Sequence, residues 1–150
     1  MEFFEAIKLG EIDEIKKQLS EDPEISTRKD ERGFPPLILS TYHEQPQITK
    51  VLLEQGVETD ARDAAGNTAL MGICFKGNKD IAEMLIIQGA DVNARNFSGT
   101  TPLMFAAMFN QDKIVQLLLD NGADKTLRDS KANTALDFAQ DPETIDLLKK

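Results

Sequence analysis

The chain of 150 residues has no tryptophan, one tyrosine, one cysteine and one histidine. Each shortage excludes something. A single cysteine, Cys74, leaves no internal disulfide to form. One Cys and one His cannot assemble a Cys/His metal site, so no metal or cofactor is expected. Neither G-x-x-x-x-G-K-[ST] nor G-x-G-x-x-G is present to cradle phosphates. Aromatics are 6% of the residues, so the core must be aliphatic, built on Leu, Ile, Ala and Met. No apolar run approaches the length of a membrane span. The opening MEFFEAIKLGEIDE is acidic early and unlike a secretion signal. The expectation is one soluble domain, cytoplasmic, monomeric and away from membranes.

What the chain does have is acid. Its 26 Asp and Glu outweigh 17 Lys and Arg, for a formal charge of −9. Such a surface repels phosphate backbones and excludes direct nucleic-acid binding from the expected functions. The charge is uneven. Residues 1–29 and 30–62 each carry −3, 63–95 carry −1, 96–128 are neutral and 129–150 carry −2.

The chain also repeats itself. Gly33, Gly66, Gly99 and Ala132 lie 33 residues apart, as do Leu37, Leu70, Leu103 and Leu136. Gly56, Gly89 and Gly122 keep the same period, and so do Ile48, Ile81 and Ile114. A fixed period of this length signals stacked structural units. Full units occupy residues 30–62, 63–95 and 96–128, with capping segments at 1–29 and 129–150. Within a unit, the D-x-x-G stretch predicts a turn, because Asp bonds nearby amides and Gly accepts positive φ. Thr68, Thr101 and Thr134 are placed as helix N-caps, with Pro102 at a first helical position. A short helix follows until Gly77 or Asn110 breaks it, and a second helix such as DKIVQLLLD ends at Gly122.

These columns resemble the ankyrin repeat. The quartet Thr101-Pro102-Leu103-Met104 and the run Gly89-Ala90-Asp91-Val92-Asn93-Ala94 follow its consensus closely. The resemblance covers residues 30–150 and extends over 1–29, where FFEAIKLGEIDEIKKQL is similar to a capping helix pair. It implies an all-α solenoid of antiparallel helix pairs joined by β-turn fingers. The family's histidine after Leu is missing: Ile38, Met71, Met104 and Asp137 stand there, so apolar packing is expected to substitute in the first three units. Pro35 replaces the first capping Thr, a loss of about 1 kcal/mol. Ala132 replaces the last turn glycine, at a cost on the order of 1 kcal/mol if positive φ is kept. Arg62, Arg95 and Arg128 precede the turns and are expected to pair with Asp63 and Asp129.

No nucleophile and base stand out. Cys74 aligns with Thr41 and Ala107 in a small-residue column that reads as core. His43 aligns with Lys76 and Phe109, a column expected to face outward on the concave side. The chain is therefore read as non-enzymatic, with no catalytic residues.

The family meets protein partners through finger tips and the exposed face of the first helix, and the resemblance implies the same positions here. At the tips these include Phe34 and Phe97. On the helix face they are Leu39, Tyr42 and His43, then Gly72, Phe75 and Lys76, then Phe105, Met108 and Phe109. Six of the nine aromatics fall in these columns, and the outer helices hold none. Aromatic side chains anchor interfaces because each covers a large area with few rotors. The expected function is a protein-binding adaptor or inhibitor. Its apolar patch, heaviest in the neutral third unit and flanked by acid, suits a partner with a basic rim. The alternative is a charge-driven inhibitor whose acidic ends occupy a basic nucleic-acid-binding protein.

Overall fold

The computed structural model describes residues 1–150 and contains ten α-helices and no strand. They run as five pairs. The first is α1 (Phe3–Leu9) with α2 (Ile12–Glu21), followed by a short 3-10 turn at Pro23–Thr27. Then come α3 (Pro36–Tyr42) with α4 (Pro46–Glu54), and α5 (Ala69–Lys76) with α6 (Lys79–Ile87). The last are α7 (Pro102–Met108) with α8 (Asp112–Asp120), and α9 (Ala135–Phe138) with α10 (Pro142–Lys149). No helix is long and apolar enough to cross a membrane.

Helices this short are not stable alone, so packing must hold them. The inner row stacks α1, α3, α5, α7 and α9 in sequence, and each outer helix packs behind its own inner partner. The core runs the length of the stack. Its repeating members are Leu37, Leu70 and Leu103 inside and Ile48, Ile81 and Ile114 outside. The small-residue column is buried throughout at Thr41, Cys74 and Ala107, which lets inner helices approach closely. Burial pushes the Cys74 thiol far above its ordinary pKa, the state of an inert core cysteine.

Each inner helix is started by local chemistry. The Thr68 hydroxyl accepts the Met71 N–H at 3.4 Å, and the Thr101 hydroxyl accepts the Met104 N–H at 3.2 Å. The missing histidine is replaced by more than packing. Met71 Sδ accepts the Thr68 N–H at 3.4 Å, and Asp137 takes the Thr134 N–H at 2.8 Å. Pro35 offers no side-chain cap, as its identity requires. Between paired helices the chain turns through positive φ at Gly77 (92°) and Asn110 (57°).

The finger turns close on their own acids. Asp63 Oδ1 accepts the N–H groups of Ala65 and Asn67, both at 2.9 Å, and Asp30, Asn96 and Asp129 do the same in their turns. The expected Arg–Asp pairing is corrected here. Arg62 donates to the carbonyls of Gly66 (2.6 Å) and Arg95 (2.9 Å), Arg95 to that of Arg128, and Arg128 to that of Ala132. The Asp oxygens are engaged by turn amides, whereas the finger carbonyls lie within reach of the guanidinium. Adjacent fingers are also tied by Phe97 N–H to Ala65 O and Ser130 N–H to Ser98 O. No such backbone bond joins the fingers of the first and second units.

Candidate functional site

The concave side of the stack carries a groove of about 590 Å³, and a break in one column opens it. The positions Leu39, Gly72 and Phe105 repeat at 33 residues along α3, α5 and α7. At the middle one there is no side chain. A Cβ added to Gly72 would meet only Tyr42 Cδ1, at 4.0 Å. The buried side chains of Ile38 and Met71, in the column of the missing histidine, line the groove beneath. Phe34 lines it from a finger, and Phe105 from the next helix, both half-buried against the core.

Three rings flank the groove at the C-terminal ends of the inner helices. Tyr42 and Phe75 are stacked, with centroids 6.3 Å apart and planes inclined by 22°. Phe75 meets Phe109 edge-on at 4.6 Å. Despite these contacts they remain 40%, 41% and 39% exposed, respectively. The ring array is continuous across three units, because one residue per inner helix projects at the same period. An exposed apolar surface of this kind on a strongly charged chain is a recognition feature.

Cations border the rings. Lys76 Nζ lies 4.7 Å from the Tyr42 centroid, and the Arg32 guanidinium carbon lies 5.3 Å from that of Phe34. The His43 ring meets Tyr42 edge-on at 5.8 Å. Partial burial, then the charges of Lys8 and Lys76, hold His43 below the usual histidine range, with Glu5 opposing.

The structure thus gathers Phe34, Tyr42, His43, Phe75, Phe105 and Phe109 around one groove, with Lys76 at its edge. Two expected positions lie elsewhere. Leu39 is only 5% exposed and belongs to the core, because α1 packs against α3 on that side. Phe97 stands apart on its finger tip, 76% exposed, its ring close over Gly66. Met108, half-buried at the end of α7, does not line the groove. The apolar surface is consequently centred on the first and second units rather than on the third. Lys8, absent from the sequence reading, lines the groove too. It precedes Tyr42 by 34 residues, the offset that also relates Gly10 to Glu44.

Remote from the groove, Asp112, Asp141 and Glu143 bring carboxylate oxygens within 4.8 Å of one another. A hydrogen bond with Asp112, then the charges of Asp141 and Asp112, raise the Glu143 pKa. Thr144 donates to Asp112 beside them. These acids belong to the junction of α8 and α10.

A family model described as "Ankyrin repeats (3 copies)" matches residues 3–96 and, in a second overlapping match, residues 74–149. No curated protein matches the sequence.

Proposed function

The chain belongs to the ankyrin-repeat family, whose repeats are generally protein–protein interaction modules, and from that premise we propose that its concave face receives a protein partner. The module acts by binding, as an adaptor or inhibitor, and not by catalysis. One observation carries the reading: Tyr42, Phe75 and Phe109 form a continuous, half-exposed ring array beside a groove left open at Gly72. These rings are rigid and already ordered by one another. Covering them removes apolar area from water at little further entropic cost. Phe34, His43, Lys76 and Phe105 frame the same surface, while Phe97 and Met108 offer secondary contacts beyond it. The lone, buried Cys74 suits a monomeric module in the cytoplasm.

The test is capture of partners from native lysate by wild type and by a Tyr42→Ala/Phe75→Ala/Phe109→Ala variant of unchanged helicity. Anchor rings of this type typically contribute about 2 kcal/mol or more each, so capture should fall at least about thirtyfold. Undiminished capture would mean the face is wrongly assigned. A charge-driven inhibitor remains a second reading, supported by the crowded carboxylates at Asp112, Asp141 and Glu143. It predicts capture that survives loss of the rings and collapses with added salt.

A further inference from the structure

The groove differs in charge from the chain that forms it. Lys8 and Arg32 line it and Lys76 borders it. None of the three makes an ion pair, since the chain's two salt bridges are Arg28–Asp22 and Lys79–Glu83. In a chain where 26 acids face 17 bases, unpaired amines meeting at one place are the exception. Lys8 and Lys76 sit in the last turns of α1 and α5, where a cation complements the helix dipole. That explains a cation on each helix. It does not explain why no carboxylate has come to either one, with His43 lodged between them.

The groove is also polarised. Its two carboxylates, Asp30 and Asp63, lie at the finger end and are engaged by turn amides. Its amines Lys8 and Lys76 lie at the opposite end, with the Tyr42 and Phe75 rings. Its volume of about 590 Å³ lies within the range of about 300–1,000 Å³ that encloses a small ligand. A short chain segment fits that space better than a flat domain surface does.

We propose that the groove takes an acidic–apolar peptide segment of a partner. An aromatic or long aliphatic side chain sits in the gap over Gly72, and a neighbouring Asp or Glu carboxylate meets Lys8, His43 and Lys76. The proposal rests on the protein-binding reading above. It reverses the basic-rimmed partner that overall composition suggests, because the local charges and not the net charge face the ligand.

The probe is a random peptide display library, panned on wild type, on Gly72→Leu and on Lys8→Glu/Lys76→Glu, each confirmed helical. Lys8→Met/Lys76→Met, which keeps the stems and removes the charge, serves if the double glutamate does not fold. Peptides enriched on wild type should join an aromatic or aliphatic residue to Asp or Glu. The synthesised winner should bind both variants at least about tenfold more weakly, and weaken with salt. Its binding should raise the titration midpoint of His43, the only histidine to follow by NMR, because a carboxylate favours the imidazolium. If peptides lost with Gly72→Leu are basic or neutral, or tolerate the charge change, the groove stands as a binding site and the acidic occupant is refuted. If binders ignore Gly72→Leu, or none emerges, the concave-face reading falls and the proposal with it.

Discussion

Gly72 offers the sharpest test of whether the groove is a purposeful gap or a packing necessity. It lies inside α5 and is not among the residues with positive φ, so its backbone does not require glycine. Its added Cβ would find ordinary contact distance to Tyr42 and nothing nearer. A helix-interior glycine costs about 0.8–1.0 kcal/mol relative to alanine. Gly72→Ala should therefore stabilise the fold by about 0.5–1 kcal/mol. For a chain of this size that corresponds to a rise in Tm of about 2–4 °C. Chemical denaturation and thermal melting followed by circular dichroism measure both quantities. Leucine is nearly as good a helix former as alanine. Gly72→Leu should thus stay folded while its side chain occupies the groove, separating stability from binding. A Gly72→Ala protein that is less stable than wild type would refute this reasoning. It would mean the position is glycine because neighbouring packing demands it.

Ala132 holds φ 65°, so Ala132→Gly should raise stability by about 1 kcal/mol in denaturant titration; no gain would mean the last finger is slack. Arg62→Ala removes bonds to two carbonyls, Gly66 and Arg95, and should cost about 1–2 kcal/mol, almost unchanged by salt because no carboxylate is its partner. A loss that salt abolishes would restore the ion-pair reading. His43 has a lowered pKa in the fold, so the folded state binds its proton less readily than the unfolded chain. Its contribution is absent at high pH, and stability declines as pH falls through the usual histidine value of about 6.5 toward the lowered one. His43→Gln should flatten that part of the stability–pH curve, and an unchanged slope would assign it to other groups.

The repeat made most of the fold legible. Equal spacing of Thr68 and Thr101 marked two helix starts, and the buried Thr41–Cys74–Ala107 column followed from residue size alone. The strain at Ala132 was visible because its column otherwise holds glycine. What the sequence hid depends on neighbours. Leu39 and Phe105 share a column, yet α1 packs against α3 on the side of Leu39, whereas Phe105 borders a column position without a side chain. The arginines stand next to acids in sequence, yet the turn amides reach those acids first. Met71 reads as a hydrophobe replacing a polar residue, yet its sulfur still accepts the Thr68 amide. Lys8 escaped notice because the capping segment is out of register by one residue.

A periodic chain builds the same contact many times, so identical columns carry stability from unit to unit. Recognition needs the opposite, a place unlike the others. Three departures from the period coincide at the junction of the first and second units. The inner column loses its side chain at Gly72, no finger-to-finger backbone bond is made, and the bridging arginine is absent, since Lys29 precedes the first turn. Each departure removes something that would otherwise fill or tie shut the concave side there. The unpaired amines of Lys8 and Lys76 border the same junction. The groove is therefore located by the exceptions to the repeat, and the surrounding regular units supply the rigidity that keeps it open.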